Sequence, residues 1–281
     1  MAAAIPARGK PPLDWLPHAA IWVGVLITLF PVYLAFVAST HTPQAIAQAP
    51  MPLLPGSQFL ENYWQALFGP NPILRMMLNS LVMALAITAG KIAISLLSAY
   101  AVVFFSFPGR QVCFWLIFVT LMLPVEVRIA PTYQVVVDLG MINSFAGLTI
   151  PLIASATATL LFRQFFLTIP DEMVEAAKID GAGPLRFFWD MVLPLSRNSI
   201  AALFVILFIY GWNQYLWPLL ITNVAEMDTI VIVIKKRIGG GDSLTDWNLV
   251  MATAVLALVP PAIVVALMQR WFVKGLVEGE K

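Results

Sequence analysis

Residues 168–194 read TIPDEMVEAAKIDGAGPLRFFWDMVLP, a polar interruption between two apolar stretches of the chain. The segment predicts two short helices joined by a turn. Asp171 is expected to cap the first helix, Gly181 to end it in the left-handed conformation, and Pro184 to begin the second. A helix over 171–180 would be only about 15 Å long, so it should need a docking partner to be stable. Amphipathic character alone is also compatible with a helix that lies on a membrane surface.

Around this segment lie six apolar stretches, each long enough to cross a hydrocarbon core of about 30 Å. They occupy 19–39, 80–103, 112–132, 147–167, 200–221 and 249–270. Composition agrees, because 60% of the residues are apolar and only 11% are charged, against roughly 25% charged in soluble proteins. The sequence therefore predicts an all-α integral membrane protein with six transmembrane helices, and it excludes a soluble globule. The first stretch is longer than the apolar core of a signal peptide, so we expect a retained helix.

Basic residues orient the predicted spans, because cytoplasmic loops carry an excess of lysine and arginine. Placing both termini in the cytoplasm puts ten basic residues on that side and four on the other. The predicted order is a cytoplasmic tail (1–18), a first transmembrane helix (19–39), a periplasmic loop (40–79), a core of five transmembrane helices (80–270) with the cytoplasmic loop 168–199, and a cytoplasmic tail (271–281). Six prolines in 40–79 predict an extended loop. Its irregular backbone is expected outside the hydrocarbon, where water can bond the free amide and carbonyl groups.

Three ionisable residues fall inside the predicted spans, namely Lys91, Glu126 and Arg128. Such groups are costly in hydrocarbon and usually face a protein interior or a water-filled path. Together with Asn213 and Gln214 in the fifth span, they are candidates to line a substrate path. Lys91 is also compatible with structural pairing or snorkelling, Arg128 with anchoring or pairing with Glu126, and the two amides with interhelical hydrogen bonds.

Functions other than transport find little support in the sequence. A net charge of +1 gives no basis for nucleic-acid binding. Cys113, His18 and His41 provide neither an internal disulfide nor the spacing of a metal site. Neither paired carboxylates nor a Ser/His/Asp set predicts catalysis, so we expect no catalytic residue, no metal and no cofactor in this chain. Without a G-x-x-x-x-G-K-[ST] motif, this chain is not expected to bind a nucleotide.

The run Glu175-Ala-Ala-Lys-Ile-Asp-Gly181, followed after nine residues by Met191-Val-Leu-Pro194, resembles the E-A-A loop of the permease subunits of bacterial ABC importers. Methionine replaces the usual isoleucine at 191, a near-isosteric change. The resemblance implies a type I importer fold in the bacterial inner membrane, in which this loop is the coupling helix that docks on a cytoplasmic ATPase. The residues it places at that contact are Glu175, Ala176, Ala177, Asp180 and Gly181.

The same resemblance implies the partners. They are a second homologous permease subunit, two ATPase subunits and a free or tethered substrate-binding protein, all acting at a lipid membrane. Lys235, Lys236 and Arg237 lie in the predicted outer loop 222–248, which in maltose-type permeases reaches towards the binding protein. The basic cluster is therefore a candidate contact for that protein, and a solvated mobile loop is the simpler interpretation.

Further motifs indicate the carbohydrate-uptake branch of this family, over about Leu78 to Lys274. The matching segments are Asn79-Ser80, Phe107-Pro-Gly109, Leu121-Met-Leu-Pro124 with Glu126, Leu161-Phe-Arg-Gln-Phe-Phe166, and Gly211-Trp-Asn-Gln-Tyr-Leu-Trp-Pro218. Within the branch, residues 123–129, 154–159 and 210–218 are most similar to permeases of sn-glycerol-3-phosphate uptake systems.

The predicted cations suit such a substrate. A phosphomonoester carries a charge of about −1.5 to −2 near neutral pH. Arg128 is the better candidate to bind it, because a guanidinium binds phosphate oxygens in a bidentate manner, and Lys91 would be a second point charge. A permease for a neutral sugar or sugar alcohol is the alternative. A secondary transporter would use the buried charges for ion coupling, but it would not need an E-A-A loop.

Overall fold

The computed structural model describes residues 15–120, 123, 125–238 and 245–277. Throughout these ranges the regular structure is helical and no strand occurs, as the composition predicts. The α-helices are α1 (Trp15–Ser39), α2 (Pro43–Ala47), α3 (Phe59–Phe68), α4 (Leu74–Phe104), α5 (Arg110–Val119), α6 (Val125–Asp138), α7 (Phe145–Thr149), α8 (Ala156–Phe166), α9 (Asp171–Ile179), α10 (Pro184–Phe187), α11 (Leu193–Leu195), α12 (Arg197–Trp212), α13 (Leu216–Ile221), α14 (Ile230–Ile238) and α15 (Trp247–Val277). A π-helical turn, Phe188–Val192, joins α10 to α11, and short 3₁₀ turns lie at Ile150–Leu152 and Ala225–Met227.

Several of these helices have the length and composition of membrane spans. Within the described ranges, three single helices qualify: Trp15–Ser39, Leu74–Phe104 and the Trp247–Trp271 part of α15. Two further pairs qualify only if each bent pair is counted as one span, giving up to five. Phe145–Leu152 and Ala156–Phe166 meet at 47°, and Pro184–Leu195 and Arg197–Trp212 meet at 70°. The prediction of six spans therefore stays a prediction.

Within the described residues, the predicted span 112–132 is divided between α5 and α6. α5 stops at Val119, where Thr120 turns its hydroxyl onto the carbonyl of Ile117 at 2.6 Å and its amide onto the same group. This tighter hydrogen bonding is typical of a helix end. Helix formation resumes at Val125. Pro124, a residue type that disfavours the interior of a helix, lies outside the described residues, as do residues 121 and 122.

A second break divides the predicted stretch 200–221. α12 ends at Trp212, and α13 begins at Leu216 after a short irregular segment. The amide of Asn213 donates to the carbonyl of Ile209 at 3.1 Å, and the amide of Gln214 donates to that of Gly211 at 3.4 Å. The stretch is therefore two helices, and its two amide residues lie at the joint between them.

Both long loops contain helices that the sequence analysis missed. The predicted extended loop 40–79 contains α2, α3 and the first turn of α4, although its prolines suggested irregular backbone. The predicted loop 222–248 contains α14, which carries the whole basic cluster. Because Ile and Val fill 230–234, this segment lacks the polar spacing by which an amphipathic helix is recognised.

The chain divides into two compact units. One contains α1, α2, α3 and the beginning of α15 as far as Leu256. Within it, Asn62 of α3 is central, because its side-chain amide donates to the carbonyls of Ser39 and His41, both at 2.9 Å, and its oxygen accepts from Asn248 at 2.9 Å. A buried asparagine that satisfies three partners fixes the end of α1 against α3.

The other unit contains α4 to α14 and the remainder of α15. Helix α4 is its centre and packs closely against both α12 and α8. Gly211 of α12 makes this close approach possible, because a β-carbon at that position would lie 2.9 Å from the backbone Cα of Ala84. Backbone atoms cannot move aside as a flexible side chain can, so the contact between the two helices requires glycine.

We therefore expect Gly211→Val to destabilise the chain. Separating α4 from α12 should cost about 1–3 kcal/mol, the usual cost of overpacking a core. The lower midpoint of thermal unfolding in detergent measures this effect. Gly24→Val is the matched control, since nothing lies within 4 Å of a β-carbon built at Gly24 of α1. Equal midpoints for the two variants would contradict the assigned role of Gly211.

Candidate functional site

The helix of the 168–194 segment is almost the one expected from the sequence. α9 covers Asp171–Ile179, and Asp171 and Glu172 lie in its first turn, near the positive end of the helix dipole. The predicted cap is wrong in one respect, because Pro170 occupies the cap position and no side chain bonds the first amides. Proline fits here since its φ of −61° and ψ of 141° form the extended entry to the helix.

The end of α9 confirms the role expected of Gly181. This residue has φ = 71°, a left-handed conformation that favours glycine. Its amide donates to the carbonyl of Lys178 at 3.0 Å, and the amide of Ala182 donates to the carbonyl of Ala177 at 2.9 Å. This pair of bonds is the Schellman motif, which satisfies carbonyls at a helix end and turns the chain sharply. Pro184 then begins α10, as predicted.

One side of the segment is packed into the chain's own core. Ala177 is buried, and Phe187, Phe188 and Val192 lie in the same core cluster. Tyr100, near the end of α4, donates its hydroxyl to the carbonyl of Pro184 at 2.7 Å. The Tyr100 ring also packs against Phe188, with ring centroids 5.0 Å apart. The segment is therefore anchored to α4 by a hydrogen bond and by aromatic packing.

The other side of the segment is exposed. Of the residues predicted to dock on the ATPase, Glu175, Ala176, Asp180 and Gly181 lie on the surface, whereas Ala177 lies inward. Ile179 is 87% exposed and follows Glu175 by one helical turn, so the two share the face opposite Ala177. Leu185 and Trp189 are also exposed, at 75% and 61%.

Sequence reasoning missed these three exposed apolar residues. The signal for Ile179 was present, since it is an apolar residue on the polar face of an amphipathic helix. Leu185 and Trp189 follow the turn after α9. Because the sequence does not show which way the chain leaves that turn, the exposure of these two side chains could not be predicted.

The predicted path residues lie on α4, on α6 and at the joint between α12 and α13. Lys91 is buried in α4, and its ammonium nitrogen lies 4.0 Å from the centroid of the Tyr210 ring on α12. A desolvated cation–π contact of this kind is worth about 2 kcal/mol. Arg128 of α6 is exposed, yet close enough to Lys91 for the two positive charges to repel. The side chain of Glu126 lies outside the described residues.

The two amide residues, Asn213 and Gln214, differ in exposure and in hydrogen bonding. Gln214 is half-buried, and its side-chain nitrogen donates to the carbonyl of Tyr210 at 3.1 Å. Asn213 is exposed. The structure thus brings Lys91, Tyr210 and Gln214 together, with Arg128 in electrostatic range. Tyr210 was not singled out by the sequence analysis, because an aromatic residue in an apolar helix gives no sign that it faces a cation.

The basic cluster of α14 is held by a buried acid. Lys236 donates to the Asp228 carboxylate at 2.6 Å, and Asp228 is 3% exposed. Asn79 of α4 donates to the carbonyls of Glu226 and Asp228, and Ser80 accepts the amide of Ile230 at 2.8 Å. Lys235 is exposed. Arg237 is half-buried and also has an interaction partner. The beginning of α4 thus fixes the position of the basic cluster.

Residues 91–278 match the family described as the binding-protein-dependent transport system inner membrane component. The chain belongs to this family. It is therefore a multi-pass permease component of the inner membrane, a transport subunit and not an enzyme, and it works with an ATPase and a binding protein.

Relatives described as the sn-glycerol-3-phosphate transport system permease protein UgpE match almost the whole chain. The protein of Brucella melitensis biotype 1 is 59% identical over 278 residues, covering 97% of this chain and 99% of the relative. That of Agrobacterium fabrum is 60% identical over 280 residues, with 98% and 99% covered. That of Pectobacterium atrosepticum is 60% identical over 274 residues, with 96% and 98% covered.

A solved structure confirms the fold. The crystal structure of a bacterial ABC transporter involved in the import of the acidic polysaccharide alginate contains a similar chain, with a TM-score of 0.83. The two chains are 22% identical, and the match covers 96% of this chain and 100% of the other. The expected ABC-importer permease fold is therefore present.

The anchoring of the segment can be tested through Tyr100. Tyr100→Phe removes the hydroxyl that bonds Pro184 and keeps the ring, so it should cost about 0.5–1.5 kcal/mol. We expect the amides of 171–182 to exchange with deuterium up to roughly tenfold faster, since 1.4 kcal/mol is a factor of ten. Hydrogen exchange with mass spectrometry measures this change. Tyr133→Phe, at a tyrosine of α6, should leave the segment unaffected, and equal exchange in both variants would rule out the anchor.

Proposed function

We propose that this chain forms half of the translocation path of an ATP-driven importer for sn-glycerol-3-phosphate. The observation that carries the proposal is identity of 58–60% over nearly the whole length to relatives described as permeases for that compound. The other half of the path would be a second, homologous permease. Two ATPase subunits would bind ATP and Mg²⁺, and a free or tethered binding protein would deliver the substrate.

The buried cation supports an anionic substrate. A lysine inside a membrane protein is expensive to bury, and here it has an aromatic face beside it and a second cation nearby. Two positive charges in range of each other are unfavourable unless something negative comes between them. A phosphomonoester of charge about −1.5 to −2 supplies that negative charge. In the proposed path Lys91 acts as a point charge and Arg128 binds phosphate oxygens, while Gln214 and Asn213 are candidates for the substrate hydroxyls.

The exposed face of α9 supports the proposed docking. Glu175 offers a carboxylate to donors of the ATPase, and Ile179 beside it offers exposed apolar area that a docked partner would cover. In the proposed cycle, closure of the ATPase dimer draws the two coupling helices together and turns the path outward. Hydrolysis then returns the path to the inward-facing state and releases the substrate inside. Both chain termini would lie in the cytoplasm, on the same side as α9.

Docking is tested by Glu175→Arg. The reversal should abolish co-purification of the ATPase and ATP-driven uptake, because an arginine cannot accept the hydrogen bonds of a carboxylate and repels cationic donors. Glu61→Arg is the control, since Glu61 is also an exposed glutamate, in the first turn of α3. Normal ATPase retention in the Glu175 variant would place the docking contact elsewhere.

The substrate is tested by uptake of labelled sn-glycerol-3-phosphate into vesicles that contain the whole complex. Lys91→Met and Arg128→Gln should each reduce uptake roughly ten- to a hundredfold, the effect of losing a charge-assisted bond of about 1.5–3 kcal/mol. Arg75→Gln, at an exposed arginine in the first turn of α4, should transport normally. Uptake of a neutral sugar, with no competition by glycerol phosphate, would show that the transporter serves an uncharged substrate.

A further inference from the structure

Helix α3, which follows the first span, has three distinct faces. Asn62 and Ala66 are buried against the chain, and the ring of Phe59 packs on that of Phe36 with centroids 6.2 Å apart. Glu61 and Gln65 lie on an exposed polar face, joined by a hydrogen bond of 2.7 Å. A helix with one packed face and one polar face suits a position in water if its remaining face carries small or polar residues.

The remaining face is instead large and apolar. Leu60, Trp64 and Phe68 are spaced four residues apart, so they lie on one face. They are exposed by 79%, 64% and 51%, and the Trp64 and Phe68 rings lie 4.6 Å apart. An exposed patch of this composition is typical of a surface that is covered in the functional state.

The loop before α3 adds two leucines with an unusual backbone environment. Leu53 and Leu54 are 61% and 75% exposed. Their carbonyls nevertheless accept hydrogen bonds from the chain, Leu53 from the Tyr33 hydroxyl at 2.7 Å and Leu54 from the His41 ring nitrogen at 2.9 Å. In water such carbonyls need no protein donor. In lipid each unsatisfied carbonyl costs several kcal/mol, so a loop that enters lipid must satisfy them internally.

These contacts also fix the depth of the loop. Tyr33 precedes Ser39, the last residue of α1, by six positions, which corresponds to about 9 Å along the helix axis. α1 has 25 residues, a length of about 37 Å against a hydrocarbon core of about 30 Å. Leu53 therefore lies beside the last two turns of α1, near the boundary between hydrocarbon and headgroups. Tyr63, next to Trp64 in α3, shares a hydrogen bond of 2.9 Å with Ser39 at the end of α1. Aromatic residues are enriched at this level in membrane proteins.

We propose that Leu53, Leu54, Leu60, Trp64 and Phe68 form a lipid-contacting patch, inserted into the membrane interface beside the end of α1. The patch continues the exposed apolar surface of α1, where Phe30 is 54% exposed. The polar face of α3 then meets water, as in other interfacial helices. Lipid is a better occupant than a protein partner because the patch lies beside the end of a membrane span and continues its exposed apolar surface. The hydrogen-bonded carbonyls of Leu53 and Leu54 make insertion of this loop possible.

The patch is tested with nitroxide labels on single cysteines in the complete transporter, reconstituted in vesicles of phosphatidylethanolamine and phosphatidylglycerol. The only native cysteine of this chain, Cys113, is exposed and is replaced by serine, with partner subunits free of cysteine. Labels are placed by Leu54→Cys and Trp64→Cys. Gln65→Cys, on the polar face of the same helix, is the matched control. The collision rates of each label with oxygen, which concentrates in lipid, and with a water-soluble nickel complex are then compared.

We expect the ratio of oxygen to nickel collisions at Leu54 and Trp64 to be several-fold above that at Gln65. Equal ratios at all three sites would place the patch in water and overturn the proposal. Labels at Leu54 and Trp64 that are shielded from both reagents, or that become shielded when the binding protein is added, would identify a protein as the occupant and would overturn it equally. Since the test does not depend on the substrate or on ATP, its outcome is independent of the proposed transport function.

Discussion

The larger unit depends on a single constraint, which is that the polar side chains of α4 must be satisfied inside an apolar helix bundle. α4 is long enough to span a membrane, yet it carries Asn79, Ser80, Lys91 and Tyr100 with little or no exposure to solvent. Burying such groups without partners costs several kcal/mol each. Each of them contacts another part of the chain, so the same helix holds the segment that carries the basic cluster, the Tyr210 ring and the α9 segment.

This arrangement explains why the close packing of α4 on α12 matters. The Ala84–Gly211 approach and the Lys91–Tyr210 contact join the same two helices. Tyr100 lies nine residues beyond Lys91, about 14 Å along a rigid helix. A displacement of α9 that pulls on Tyr100 would therefore move α4 as a body and change the surroundings of the buried cation. No contiguous chain of side-chain rearrangements is needed for such a coupling.

Much of the fold could be predicted because hydrophobic length and turn chemistry are local properties. The first, second and last spans match α1, α4 and α15, and α9, Gly181 and Pro184 have the conformations that the sequence indicates. Pro124 indicates a break in the third stretch, but the breaks inside the fourth and fifth stretches were missed because hydropathy does not register where a helix ends within an apolar run. α3 was missed because the prolines around it suggested irregular backbone, and α14 because its run of Ile and Val lacks the polar spacing of an amphipathic helix.

For the site, the sequence identified residue types and the structure supplied their directions. Ala177 belongs to the E-A-A motif, but its side chain fills the chain's own core, so a small residue is required there for internal packing with Phe187 and Phe188. Glu175 and Ile179 point the opposite way. One helix thus uses Ala177 to pack against the permease, while Glu175 and Ile179 face outward. A short helix of nine residues would be marginal alone, and only this division lets it be rigid on one side and available to a partner on the other.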